Sequence, residues 1–245
     1  MLEYIKTASN HGVVEVILNR PEKHNALSEL LITNLTKVIR DISSSDKLRC
    51  VIVSGAGKGF SSGADIDELR NLNYKNAEIF IRHLHGACQA VRDCPVPVIA
   101  KVHGPCIGAG LELAVSCDLR CASYTSTFSM PEVQVGIPSV IEAALLPRLV
   151  GWGKASEILF TGKKFAAEEA MKFGLVEKLA RPSELDSAIE EWIKSICSAS
   201  SSAIRAQKSL MHQWEQLTIN DAIESGVSYF KESYKTDELK TKLKV

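Results

Sequence analysis

The chain has no surplus of either charge: 29 Lys and Arg stand against 29 Asp and Glu. A zero balance supplies no field that would gather DNA, RNA or an anionic membrane, and no local basic patch takes its place. Also lacking is any apolar run of the roughly 18 residues that a transmembrane helix needs. Cysteine is present but not in a pattern that does chemistry. The seven, at 50, 88, 94, 106, 117, 121 and 197, are odd in number and scattered through apolar segments. None forms a Cys-x-x-Cys pair matched by a second pair or by histidines, so they read as reduced core thiols, with no disulfide framework and no metal site. The first residues, Met-Leu-Glu-Tyr-Ile-Lys, carry an acid at position 3 and run into an alternating strand, unlike a signal or transit peptide. The last four, Lys-Leu-Lys-Val, are not a peroxisomal signal. A cytoplasmic protein is expected, without nucleic-acid or membrane partners.

What is present is enough apolar material, 45% of 245 residues, for one generous domain or a domain with a helical appendage. Val13 to Leu18 should form a strand that ends at Asn19-Arg20-Pro21, where proline removes a ladder donor. Ser28 looks like a helix cap, and Leu31, Leu35, Val38 and Ile42 follow at helical spacing, which predicts a helix over 28–42. Cys50-Val-Ile-Val-Ser54 reads as a buried strand. A second helix should begin near Asp65. Another, over 76–92, would bury Phe80, Leu84, Ala87, Cys88 and Val91 on one face. Extended pieces are expected at Val96–Val102, Leu119–Ala122 and Thr127–Ser129. Strands alternating with helices imply an α/β arrangement. After Pro182 the pattern is helical only, with Ser183/Asp186 and Thr218/Asp221 resembling capping boxes. The expected division is therefore 1–182, carrying the site, and 183–245, a helical C-terminal subdomain.

The chemistry concentrates in two Gly-turns and two glutamates. A helix opening at Gly108-Ala-Gly110 leaves its first amides unpaired and places the positive end of its dipole there, so the Ala109 N–H could stabilise a developing oxyanion. Glu112, three residues on, shares that first turn and face. Glu132, in Met130-Pro-Glu-Val-Gln-Val-Gly136, follows it by twenty residues. The second Gly-turn, Ser61-Ser-Gly-Ala-Asp65, follows the 50–54 strand. Each part alone has a bland reading: Gly-x-Gly is a weak signal, and a first-turn glutamate is usually a dipole partner.

Together the parts point further. The chain resembles the enoyl-CoA hydratase/isomerase (crotonase) superfamily from residue 12 to at least 180. The resemblance is carried by Leu18-Asn-Arg-Pro-Glu-Lys-His-Asn-Ala-Leu27, Gly59-Phe-Ser-Ser-Gly-Ala-Asp65, Pro97–Gly104 continuing through Gly108–Ala114, and Met130–Ile137. It implies a spiral of β-β-α turns with a C-terminal helical oligomerisation region, a homotrimer or dimer of trimers, and chemistry on an acyl-CoA thioester. CoA would be part of the substrate, and no other cofactor and no metal is implied. By position the Ala64 and Ala109 amides would form an oxyanion hole, and Glu112 and Glu132 the catalytic pair of a hydratase. Isomerases commonly keep only the second glutamate. Lys23, His24, Ala26 and Leu27, with Ala64, Asp65 and Ile66, match the stretches that bind CoA, where Lys23 and His24 could meet phosphates. His103 reads as a packed structural histidine. Two carboxylates that share one water should titrate as a pair, one of them pushed upward.

The chain departs from the family pattern after Glu132. Many hydratases have Gly-x-x-Pro-Gly-x-Gly-Gly-Thr where this chain reads Gly136-Ile-Pro-Ser-Val-Ile-Glu-Ala-Ala144, so the loop shaping the acyl pocket should be stiffer. Glu142 is a third carboxylate near the site. Ser139-Val-Ile-Glu142 has the capping-box pattern, which would occupy Glu142 with its own helix. Asp67 stands where many relatives place a lysine near CoA. The expected activity is hydration of a trans-2-enoyl-CoA. An isomerase or other lyase of the same superfamily is the alternative, and a non-catalytic CoA-binding or RNA-associated scaffold a more distant one.

Overall fold

The structure is a computed structural model that describes residues 4–235 and Leu239. In chain order its strands are β1 (Ile5–Asn10), β2 (Val13–Leu18), β3 (Cys50–Gly55), β4 (Val98–Val102), β5 (Pro105–Ile107), β6 (Leu119–Ser123), β7 (Thr127–Ser129), β8 (Phe165–Ala166) and β9 (Lys178–Ala180). Its helices are α1 (Glu29–Ser43), α2 (Ile66–Arg70), α3 (Ala77–Asp93), α4 (Ala109–Val115), α5 (Leu146–Val150), α6 (Trp152–Thr161), α7 (Ala167–Lys172), α8 (Leu185–Ser198), α9 (Ser201–Trp214) and α10 (Ile219–Ser233). This is the mixed α/β arrangement expected, with helices alone after β9.

A six-stranded sheet runs in the order β1-β2-β3-β4-β6-β9, antiparallel only at the β1–β2 hairpin. The central strands are buried on both faces, so they read as continuous apolar runs. In β3 the alternation divides residues between two cores. Val51 and Val53 point into the main core with α1, α3 and α4, whereas Cys50 and Ile52 point to the opposite face, under Leu185 and Ile189 of α8. The first of the late helices thus seals the outer face of the sheet. A second, three-stranded sheet, β5-β7-β8, stands beside the first and carries the chain through the site.

Local chemistry explains several helix starts. Ser28 caps α1 by accepting from the Leu31 N–H, and Thr218 caps α10 by accepting from the Asp221 N–H. Three expectations change. β1 does not alternate: only Ile5 is buried, and the rest forms a polar edge strand paired on one side. Ser183 does not cap α8. The chain there makes a 3₁₀ turn over Pro182–Glu184, and Asp186 pairs with Lys101, which lies 2.5 Å away. Nor do Ser139 and Glu142 form a capping box, because the turn over Ile141–Leu145 starts from Val140 and both side chains bond elsewhere.

The late helices are tied to the sheet by cations reaching carbonyls. Lys208 Nζ meets Val96 O at 2.9 Å and Asp118 Oδ2 at 2.7 Å, and Arg205 Nη2 donates to Ser45 O and Leu48 O, each at 3.0 Å. The opposite side of α10 presents Ile219, Ile223, Val227 and Phe230 to the exterior. Among the described residues no helix is long and apolar enough to cross a membrane.

Candidate active site

Two chain reversals meet at the site. After β3 the chain lies against the second sheet: Ser61 N–H donates to Pro105 O at 3.1 Å and Ile107 N–H to Ser61 O at 3.0 Å. It then pairs with the segment before α1, where Leu27 N–H donates to Gly63 O at 2.8 Å and Asp65 N–H to Leu27 O at 3.1 Å. In such a parallel bridge the amide between the two bonded groups faces the other way, so the Ala64 N–H points away from Leu27.

The other reversal is Gly108, at φ 52 and ψ −124, which turns β5 into α4. Its carbonyl accepts from Leu111 and Glu112, leaving the Ala109 N–H at the first helical position without an intrahelical acceptor. The two turns abut: a Cβ on Gly63 would lie 2.8 Å from Ile107 O and 3.5 Å from Ala109 N, and one on Gly110 2.7 Å from Ser61 Cβ. Only residues without side chains permit this approach.

α4 is buried along its whole length, including Glu112, which is 4% exposed. Glu112 Oε1 accepts the Ala143 N–H at 3.0 Å. Burial, opposed by that bond and assisted by the nearby Glu132 and Glu142 carboxylates, pushes the Glu112 carboxyl up to about 8. The upward shift expected for one member of the pair therefore falls on Glu112. Glu132 opens a 3₁₀ turn (Glu132–Val135) and is half-buried. Its Oε1 lies against Gly108, where a Cβ would collide with it, and its Oε2 accepts from Ser139 Oγ at 2.8 Å.

One short segment therefore holds both glutamates, with the Ser139 hydroxyl on Glu132 and the Ala143 amide on Glu112. Between them Ile141 sits at φ 38, the left-handed region that β-branched residues avoid. This is the stretch where glycines give way to larger residues, and the strain, about 1–3 kcal/mol, is held in place by the anchors on either side. Ser139 and Ala143 escaped the reading of the sequence, since the capping-box pattern assigned Ser139 to another partner.

Ala26 and Leu27 are buried, and Ile66 is exposed. Lys23 and His24 are exposed, but Lys23 Nζ is paired with Asp67 Oδ2 at 3.0 Å, and Asp67 also meets Arg70. The Asp65 carboxylate is committed to structure: it caps α2 through the Asp67 and Glu68 amides and binds the Arg20 guanidinium. Burial works against its charge, but those bonds outweigh burial and hold its carboxyl below the usual range. Its side chain is thus spent, leaving only backbone for a ligand. His103 is half-buried and its Nε2 lies 3.0 Å from Gly57 O, a structural placement.

Against this geometry the comparisons with known proteins are specific. Residues 8–244 match the family model described as enoyl-CoA hydratase/isomerase, and the chain belongs to that family. A short-chain-enoyl-CoA hydratase of Clostridium acetobutylicum is 35% identical over 93% of this chain and 88% of its own length. A peroxisomal delta(3,5)-delta(2,4)-dienoyl-CoA isomerase of Arabidopsis thaliana is 30% identical over 93% of this chain and 86% of its own. Among solved structures, an enoyl-CoA hydratase from Bacillus anthracis superposes with a TM-score of 0.95 at 28% identity, covering 98% of this chain and 95% of that one. The fold is that of the crotonase superfamily.

Proposed function

We propose that this protein is an enoyl-CoA hydratase, adding water across the double bond of a trans-2-enoyl-CoA to give a 3-hydroxyacyl-CoA. The observation that carries the reading is the convergence of two carboxyl groups on one pair of turns: Glu112 from inside α4 and Glu132 against Gly108. In this reading the Ala64 and Ala109 amides hold the thioester oxygen as negative charge moves onto it. Such donors act on charge that exists only in the transition state and contribute about 3 kcal/mol each. Glu112 takes a proton from the water that attacks C3, while Glu132 delivers one to C2, and dehydration is the same path reversed.

The pair must hold one proton in total for either direction to proceed. Ser139 and the Ala143 amide fix the two carboxyl groups, so that a water between them meets both acid and base without side-chain reorganisation. CoA would lie along 23–27 and 64–66, mainly on backbone groups, because Asp65 and Lys23 are already paired. The exposed apolar side of α10 supports assembly with further copies of this chain, as a trimer or a pair of trimers.

A second reading has its own support. Glu112 holds its proton to about 8, and an isomerase that shuttles a proton through Glu132 alone would leave Glu112 as a neutral neighbour. Hydration of crotonyl-CoA, followed by loss of the enoyl-thioester absorbance, decides between them. Under the hydratase reading, Glu112→Gln and Glu132→Gln each lower kcat by a hundredfold or more, of the order expected for an acid–base group. Isomerisation of a 3-enoyl-CoA that survives Glu112→Gln would instead assign the isomerase.

A further inference from the structure

The turn that carries Ile141 is shaped for a smaller residue. Val140 O accepts the Ala143 N–H at 2.9 Å, closing a four-residue turn in which Ile141 is the first central residue, at φ 38. A turn with a positive φ at that place takes glycine, whereas a β-branched side chain is strained there. Glycine would close the same turn without strain. What glycine cannot supply is the side chain, so the strain points to a use for the side chain itself.

Its position says what that use is. The Ala143 N–H that closes the turn is shared with Glu112 Oε1 at 3.0 Å, and Ser139, two residues before Ile141, gives its hydroxyl to Glu132 Oε2 at 2.8 Å. Consecutive Cα atoms are about 3.8 Å apart, so the Ile141 Cα lies within roughly 7.6 Å of those of both residues that hold the glutamates. The turn packs against α3 and α4, and Ile141 is half-buried against the main core. Ile137 and Val140 stand exposed in the same segment. Branched apolar side chains thus fill the stretch that bridges the two carboxyl groups, a lining suited to an alkyl chain.

We infer that Ile141 is a specificity-determining residue whose side chain closes the acyl end of the site and restricts it to short acyl groups. Resting on the reading proposed above, an enoyl group places C2 and C3 at Glu132 and Glu112, and the carbons beyond C3 run toward the segment that bridges them. A side chain at 141 takes the room that a longer acyl chain would need. Each methylene that finds apolar cover strengthens binding about fourfold, so the loss of that room is read directly as an affinity that does not rise with chain length.

The test is the binding of two saturated thioesters, butanoyl-CoA and octanoyl-CoA, measured by calorimetry. They carry no double bond to hydrate or shift, so the result does not depend on which reaction the site performs. In the wild type, octanoyl-CoA should bind no more tightly than butanoyl-CoA. In Ile141→Gly, octanoyl-CoA should gain about tenfold or more over butanoyl-CoA, and Ile141→Ala should show most of that gain. Ile141→Leu, which keeps the bulk, should keep the wild-type ratio. A merely structural role would shift both affinities alike and leave their ratio in place. Circular dichroism identifies the folded variants, and Ile141→Ala replaces Ile141→Gly if glycine loosens the turn. A ratio that moves by less than about threefold in a folded Gly or Ala variant overturns the inference. That result would count against Ile141 alone, whereas a wild type that binds both thioesters but fails to hydrate crotonyl-CoA would count against the hydratase reading alone.

Discussion

Glu132 Oε1 lies where a side chain on Gly108 would have to be, so the residue that turns the chain into α4 also makes room for a carboxylate at the helix entrance. Glycine at 108 meets two demands at once, a φ of 52 and the absence of a Cβ. Gly108→Ala should displace Glu132, cost about 1–3 kcal/mol of stability and abolish turnover. Denaturant midpoints with parallel crotonyl-CoA assays would check this. A stable, active Ala variant would show that Glu132 has no need of this position.

Glu112 makes stability depend on pH. Its carboxyl goes from 4.5 to about 8 on folding, so between those values the folded chain holds a proton that the unfolded chain has lost. The stabilising contribution of the protonated form is complete below 4.5 and is lost as pH rises through about 8. The loss is on the order of 5 kcal/mol at 1.36 kcal/mol per unit. Glu112→Gln cannot ionise and should be more stable than the wild type at pH 9, with little difference at pH 5. Urea midpoints at the two values make the comparison.

Activity should follow the same proton. Under the proposed hydratase reading the free enzyme works with one proton on the Glu112/Glu132 pair, so kcat/KM should decline as pH rises through about 8, where Glu112 gives up its proton. Because the overall reaction consumes no proton, hydration and dehydration should show the same basic limb. Limbs at different pH in the two directions would contradict a shared pair.

Ser139 orients Glu132 by one hydroxyl bond of 2.8 Å. Ser139→Ala should lower kcat by about five- to twentyfold, the worth of one hydrogen bond to a charged group, and leave KM near its original value. A change confined to KM would place Ser139 in binding instead.

Lys23 is held by Asp67, 3.0 Å away. Asp67→Asn should release it toward the phosphates of CoA, lowering KM for an acyl-CoA by about two- to fivefold at low ionic strength, an advantage that disappears with salt. Stability should change little, since both side chains are exposed. An unchanged KM at low salt would remove Lys23 from the CoA contacts.

Much of the chain could be read before its structure. The Ser28 cap, the apolar stripe of α3 and the buried run of β3 are local patterns, set by hydrogen bonds within a turn and by spacing along one element. The turns at Ser61–Asp65 and Gly108–Glu112 were also legible, because glycine spacing and a helix start are written within a few residues. The partner of Ser139 was not legible: its hydroxyl bonds Glu132, seven residues back, where the local capping-box pattern favoured Glu142, three residues ahead. β1 likewise had the composition of a strand, while its exposure on one edge depended on what failed to cover it.

The sequence by itself determined the α/β class, the two Gly-turns and the two glutamates, since each is encoded by residue type and short-range spacing. Only the tertiary structure decided that Glu112 is the carboxyl pushed upward, that Ser139 and Ala143 hold the pair, and that Glu142 pairs with His85. These depend on burial and on distances between segments far apart in the chain, from α3 at residue 85 to the strained turn at 141. A carboxyl group's proton affinity and bonding partners are properties of the space that closes around it, and that space forms only when the two sheets, α3 and α4 pack together.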